Sequence, residues 1–86
     1  MISKTRRSFW EHFARLPAPI QELAREKFVI WHAEPFHPSL HFKELRPGLW
    51  SARVNSNYRA LARRSGDLIT WFWIGTHAEY DRLVQS

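Results

Sequence analysis

The spacing of apolar residues changes near residue 40, and this change constrains the fold more strongly than any other feature of the sequence. Before it, apolar side chains recur every three or four positions, at Ile20, Leu23, Ala24, Phe28 and Trp31. This spacing is typical of a helix with one buried face. After it, apolar and polar residues alternate, as over 50–54, which is typical of a strand. The chain therefore joins a helical part to a β-rich part.

Two helices are predicted before the change. Ser8 and Glu11 have the spacing of a capping box and open a short first helix, which Pro17 ends. A second helix is predicted from about Pro19 to His32. Together they are expected to form a helical hairpin with a common buried side.

Four strands and a last helix are predicted after the change. The strands are Phe42–Leu45, Trp50–Val54, Tyr58–Arg63 and Leu68–Ile74. Because short turns join them, each strand is expected to pair antiparallel with the next. Thr76 and Glu79 form a second capping box, which opens the last helix. The expected fold is α+β: an N-terminal helical hairpin packed on a twisted antiparallel sheet of about four strands, with a short C-terminal helix.

The composition narrows the possible functions. With 86 residues, the chain is expected to be a single domain, 1–86. It has no cysteine, which excludes a disulfide framework, a thiol nucleophile and a thiolate zinc site. A small secreted domain usually needs disulfides, so a cytoplasmic protein is expected. No apolar run approaches the ~20 residues of a membrane span, so no membrane contact is expected. A net charge of +5, carried mainly by arginine, favours a polyanionic or acidic partner.

Basic residues of the predicted sheet form the strongest candidate site. Arg53 and Arg59 flank the turn at 55–57 and are expected on neighbouring strands, with Lys43 on the strand before them. Arg63, further along the strand of Arg59, is added as a phosphate-binding residue. Such cations stabilise the charge that develops on phosphate oxygens during phosphoryl chemistry. The alternative is a solvated basic face, or arginines paired with acidic residues.

His77 and Tyr80 form a second candidate, because both lie in the first turns of the last helix, three residues apart on one face. A histidine there is a usable general acid or base near neutral pH. The alternative is a histidine bonded to the helix end beside a half-buried core tyrosine.

Two further patterns carry weaker signals. His32, His37 and His41 span a proline loop without a supporting acidic cluster, so no metal is expected. Trp71 and Trp73, predicted on one side of their strand, are interpreted as core residues rather than a platform for stacking bases.

Four sequence blocks carry a resemblance to a known family. They read L-P-x-x-I-Q-x-x-A at 16–24, P-x-H-P-S-L-x-F-K at 35–43, L-W-S-A-R-V-N-S-N-Y-R-A-L at 49–61 and W-F-W-I-G-T-H-A-E-Y-D-R-L at 71–83. The chain resembles the RelE/ParE superfamily of type II toxins, in the group labelled cytotoxic translational repressors. The resemblance covers about residues 8–83 and implies the same α+β fold.

The resemblance also implies a chemistry. Toxins of the RelE type cut mRNA on the ribosome without a metal or other cofactor, by attack of a ribose 2′-OH on the adjacent phosphate. The family's catalytic arginines look like Arg53 and Arg59, its strand cation like Lys43 and its C-terminal histidine like His77. Two departures stand out, because Leu40 lies about where one branch has a carboxylate and Ala78 lies where that branch has tyrosine. Tyr80 is the remaining substitute for that tyrosine.

Three functions follow as hypotheses. The first is a ribosome-dependent mRNA endonuclease whose partners are the ribosome, mRNA and a cognate antitoxin. The second is a ParE-like inhibitor of DNA gyrase, and the third is a catalytically degenerate binding module that an antitoxin neutralises. The antitoxin is expected to cover some or all of the basic face.

Overall fold

Five strands and three α-helices make up the computed structural model, which describes residues 1–85. The helices are α1 (Arg7–Ala14), α2 (Ala18–Ala33) and α3 (His77–Gln85). The strands are β1 (Ile2–Thr5), β2 (Lys43–Arg46), β3 (Leu49–Asn55), β4 (Tyr58–Ser65) and β5 (Leu68–Thr76). A 3₁₀ turn, Pro38–Leu40, joins the helical hairpin to the sheet. The predicted α+β fold is confirmed, with one more strand than expected.

The additional strand is β1, which lies at one edge of a sheet with the order β1-β5-β4-β3-β2. It runs parallel to β5, with Ile2 opposite Leu68 and Thr5 opposite Trp71, whereas β2 to β5 are antiparallel as predicted. The sequence offered no signal for β1, because four largely exposed residues at an edge need no alternation of apolar side chains. These residues pair with β5 through backbone hydrogen bonds, which form whatever the side chains are.

The two capping predictions have different outcomes. The box at Ser8 and Glu11 was wrong, because α1 begins at Arg7 and Ser8 Oγ donates instead to the backbone carbonyl of Phe72, 2.8 Å away. The box at the start of α3 is confirmed. There the Thr76 N–H donates to Glu79 Oε1 and the Glu79 N–H donates to Thr76 Oγ1, each at 3.2 Å. This reciprocal pair fixes where β5 ends and α3 begins.

Both faces of the sheet carry a core. On one face α1 and α2, the latter through Trp31, pack against residues that include Leu40 and Trp71. On the other face α3 packs across Leu49, Leu61 and Trp73. The predicted common side for Trp71 and Trp73 was wrong, because a register shift in the β4–β5 ladder directs the two indoles into different cores. Both are buried, which confirms their role in packing. Among the helices described, none has the length and hydropathy to cross a membrane.

Candidate functional site

The β3–β4 hairpin brings the backbones of Arg53 and Arg59 together. Its turn is held by Asn55, whose side-chain Oδ1 accepts the backbone N–H of Asn57 at 2.8 Å and that of Tyr58 at 3.0 Å. Arg53 and Arg59 then lie directly opposite each other in the ladder, next to a bulge in β3. Directly opposite Cα atoms of an antiparallel pair are about 5 Å apart. The predicted proximity of the two arginines therefore follows from the turn chemistry.

The Arg59 side chain is unusual because it is sunk into the surface without a partner. Its guanidinium lies over the ring of Tyr80, with the Cζ atom 5.2 Å from the ring centroid. Its Nε and Nη1 atoms are buried, and neither has a hydrogen-bond acceptor among the residues described. Stacking on an aromatic face orients the guanidinium plane, but it satisfies none of these N–H groups. An unmet buried donor is costly, and an anion would satisfy these two N–H groups only once the side chains that cover them had moved aside.

Tyr80 is placed in the core as the support beneath Arg59. It is 6% exposed, and its hydroxyl donates over a long 3.4 Å to Ser51 Oγ in β3. Ser51 is itself fully buried. The open side of Tyr80 is thus covered by Arg59, and its hydroxyl is directed into the protein. The structure places this residue where it orients the guanidinium.

His77 stands at the first turn of α3, beside the same hairpin. Its backbone N–H donates to the carbonyl of Asn57 at 2.7 Å, which ties the start of α3 to the β3–β4 turn. Its ring lies 5.6 Å from the ring of Tyr80. Sequence and structure agree that His77 and Tyr80 are neighbours, and the tie to Asn57 brings both to the arginine-bearing end of the sheet.

Asp81 is a site residue that the sequence analysis missed. Its Oδ2 lies 3.0 Å from Nδ1 of His77, one helical turn earlier, with both side chains about half exposed. A carboxylate at Nδ1 holds the proton on that nitrogen and leaves Nε2 as the acceptor. The signal was present in the spacing of four between His77 and Asp81, which places both on one helix face.

Lys43 and Arg63 differ in their relation to the arginine pair. Lys43 is exposed at the start of β2 and lies opposite Ser51, so it shares the face on which Tyr80 packs. Arg63 lies four residues beyond Arg59, roughly 13 Å along the strand, and it is exposed over the ring of Phe72. The core beneath α3, which includes Leu61, lies between the two arginines. The structure brings Lys43 towards the site and leaves Arg63 outside it.

The structure decides whether the two arginines of the hairpin are paired with acidic side chains. Between residues 1 and 85, ion pairs join the N-terminus of Met1 to Asp67 and Arg25 to Glu22, and a hydrogen-bond contact joins His77 to Asp81. None of them involves Arg53 or Arg59, so these arginines are not engaged by acidic side chains within the described chain. The positive charge of the hairpin stays available to an external anion.

Metal ligation has no geometric support in the described part of the chain. It contains no cluster of three or more histidine and acidic side chains that could hold an ion. His37 is engaged locally, with its Nδ1 lying 2.9 Å from Ser39 Oγ and accepting the backbone N–H of Ser39 at 3.2 Å. This histidine caps the 3₁₀ turn.

A helical hairpin packed on a sheet, with an arginine pair on a central β-hairpin, defines the class of small α+β toxins of the RelE/ParE superfamily that the sequence resembles. The model of the ParE-like toxin domain matches residues 18–82, and the chain belongs to this family. No protein of curated function matches the sequence closely enough to count as a relative.

Solved structures of such toxins share the fold. A YoeB/ParE toxin from Agrobacterium tumefaciens superposes with a TM-score of 0.67 at 21% identity, covering 90% of this chain and 99% of its own. The RelBE2 toxin–antitoxin complex from Mycobacterium tuberculosis gives 0.70 at 22% identity, over 88% and 96% of the two chains. The archaeal RelE–RelB complex from Pyrococcus horikoshii gives 0.70 at 17% identity, over 87% and 92%. At these identities the likeness concerns the fold.

Proposed function

We propose that this toxin domain inhibits translation by cutting mRNA on the ribosome. The observation that supports this function best is the partly buried guanidinium of Arg59, which has unmet donors and lies over the ring of Tyr80. A planar fork of N–H groups fits the paired oxygens of a phosphate. Solved RelE and YoeB/ParE toxins share the fold, and the RelE type is the branch for which the sequence resemblance implies mRNA cleavage.

The proposed reaction is an in-line transfer that uses side chains alone. The ribose 2′-oxygen forms a bond to the adjacent phosphorus while the bond from phosphorus to the 5′-oxygen breaks, leaving a 2′,3′-cyclic phosphate and a 5′-hydroxyl. His77 takes the 2′-OH proton at Nε2, and the leaving 5′-oxygen takes a proton from water. Arg59, Arg53 and Lys43 stabilise the charge that accumulates on the phosphate oxygens. Asp81 keeps the His77 ring in the tautomer that can act as base.

Cleavage of message in a reconstituted translation system tests this function. Primer extension is expected to reveal new 5′ ends on translated mRNA with the wild type. Arg59→Ala and His77→Ala are expected to lower the cleavage rate by roughly 100-fold or more, because each removes a group that acts in the transition state. Arg15→Ala, which removes an exposed arginine of the helical hairpin, is the charge-matched control. Intact message with stalled translation would contradict the nuclease function.

Gyrase inhibition is the second candidate, because the matched family is named for a ParE-like toxin. A gyrase inhibitor needs a binding surface and no proton transfer, so His77→Ala would keep its toxicity. A supercoiling assay with purified gyrase separates the two functions. If neither assay responds to the wild type, the degenerate binding module remains.

A cognate antitoxin is proposed as the protein partner, and the ribosome with its mRNA as the target in the cytoplasm. Three of the solved structures that share the fold are toxin–antitoxin complexes. In this chain Trp10 and Phe28 are partly exposed beside an apolar groove between α1 and α2, and the net charge is +5. An acidic segment with an apolar face would match both features. Co-expression with the neighbouring open reading frame is expected to yield a stoichiometric complex and to relieve growth arrest.

A further inference from the structure

A second basic surface lies beside α2. Lys27 of α2 and Arg53 of β3 line an open groove of about 370 Å³, together with the polar residues Ser39 and Asn55. Both cations are half-buried, and neither forms an ion pair or a side-chain hydrogen bond with any residue from 1 to 85. The groove therefore carries positive charge that the described protein does not neutralise.

The rest of the lining indicates the chemistry of the ligand. Leu23 and Val54 supply apolar surface. The Oδ1 atom of Asn55 is used in the β3–β4 turn, which holds the side chain still and leaves its amide N–H groups to donate. Two cations, a fixed amide donor and an apolar wall suit a nucleotide, which has a charged phosphate, hydrogen-bonding edges and flat apolar faces. An acidic peptide would use the cations but leave the apolar wall and the amide unmatched.

The groove adjoins the arginine pair. Arg53 belongs to the groove lining and also lies directly opposite Arg59 in the ladder. Arg59 packs on Tyr80 at the α3 face of the sheet, whereas the groove opens beside α2 at the other face. An RNA strand whose scissile phosphate rests on Arg59 therefore has to pass over Arg53 of β3 to continue into the groove. We propose that the groove at Lys27 binds the nucleotide next to the cleaved one, with Arg53 shared between two phosphates. This inference rests on the proposed RNA-cleaving function and adds to it a residue, Lys27, from the helical hairpin.

Binding of uncleavable RNA tests the groove separately from catalysis. The probes are a 2′-O-methyl dinucleotide, which has one phosphate between its riboses, and a 2′-O-methyl tetranucleotide, titrated by NMR at about 50 mM and 200 mM salt. For the tetranucleotide, Lys27→Gln is expected to lower the magnitude of the salt slope by about 0.7, since each phosphate contact in a single strand contributes that amount. Raising the salt from about 50 mM to about 200 mM is thus expected to weaken binding about two- to threefold less in Lys27→Gln than in the wild type.

Two matched comparisons make the outcome specific. Arg25→Gln removes a charge two residues earlier on α2, where the side chain pairs with Glu22, and is expected to leave the slope unchanged. The dinucleotide is expected to bind Lys27→Gln and wild type equally, because its single phosphate rests on the arginine pair and does not extend to Lys27.

Equal effects of Lys27→Gln and Arg25→Gln on the salt slope would overturn the proposed nucleotide site in the groove. They would show that only the overall positive charge of the surface attracts RNA. A Lys27-dependent affinity for a poly-glutamate peptide, without one for RNA, would reassign the groove to an acidic peptide and overturn it too. Failure of both RNA probes to bind the wild type would overturn the proposed nucleotide site and the proposed RNA-cleaving function together. Binding of RNA that is the same in the wild type and in Lys27→Gln would overturn the proposed nucleotide site in the groove and leave the proposed function standing.

Discussion

At the scale of single residues, the site is built from side chains that are held by others. Tyr80 orients Arg59 through its ring, and Asp81 orients His77 through Nδ1. In each pair the reacting group is a polar side chain that is only partly exposed, and its support is fixed by packing or by the helix. The placement of Arg59 costs stability, because two of its buried N–H donors have no acceptor among the described residues.

Replacing Asp81 by asparagine is expected to lower the cleavage rate roughly tenfold while message binding stays unchanged. The amide can donate to Nδ1 as well as accept from it, so the imidazole loses the acceptor-only carboxylate that selects its tautomer. Nitrogen-15 NMR of the His77 ring is expected to show less of the Nδ1–H form in Asp81→Asn than in the wild type. Asp81→Glu, which keeps a carboxylate, is expected to restore part of the rate. An unchanged tautomer in Asp81→Asn would show that the pair is only a surface contact.

Replacing Arg59 by methionine is expected to separate stability from activity. The substitution keeps an apolar stem over Tyr80 and removes two unmet donors, so the free energy of unfolding is expected to rise by about 1 kcal/mol. Cleavage is expected to disappear. Urea denaturation and primer extension on the same preparation check both outcomes, and a destabilised variant would mean that Arg59 has a structural partner.

At the scale of elements, the junction of β5 with α3 sets the position of His77. The carboxylate of Glu79 accepts hydrogen bonds from the hydroxyl of Thr76 at 2.9 Å and from its backbone N–H at 3.2 Å. These bonds, led by the one from the hydroxyl, hold the pKa of Glu79 below its usual 4.5, with a smaller contribution from the charges of Arg82 and His12. Helix capping and site geometry are therefore the same feature.

The stability from this cap is expected to depend on pH. A carboxyl whose pKa is lower in the folded state stabilises the fold above its unfolded pKa, and the contribution is lost as the pH falls through the folded value. The difference in unfolding free energy between wild type and Glu79→Gln is thus expected to be largest near neutral pH and to vanish in acid below 4.5. Glu26→Gln, at an exposed position of α2, is the control and is expected to give no such difference. Urea denaturation across this pH range measures both.

At the scale of the whole molecule, a single sheet carries two cores. Trp71 belongs to the core under α1 and α2 and Trp73 to the core under α3, although only one residue separates them. Neither core can form without β4 and β5, because both rest on these strands. The two faces therefore stabilise each other.

Cooperative unfolding is the expected consequence. Far-ultraviolet circular dichroism and tryptophan fluorescence are expected to give coincident urea transitions, since the indoles report both cores and the dichroism reports the backbone. A fluorescence transition that precedes the loss of secondary structure would indicate that one core opens alone. Repeating the measurement with Trp73→Phe isolates the signal of the core under α1 and α2.

The sequence alone determined the elements with strong local signals. Hydrophobic spacing located α2 and β2 to β5, turn chemistry at 55–57 placed Arg53 opposite Arg59, and the capping box at Thr76 located α3. These features depend on residues close together in the chain, whose preferences can be read locally.

The tertiary structure alone decided the features that depend on distant residues. The pairing of β1 with β5 joins the two ends of the chain, and the register shift in β5 separates two tryptophans that alternation alone would place together. The burial of Tyr80 under Arg59 likewise depends on how elements pack across the sheet, and so does the groove that Lys27 and Arg53 both line. Packing energy decides such contacts, and it is a property of the assembled surfaces rather than of any short segment.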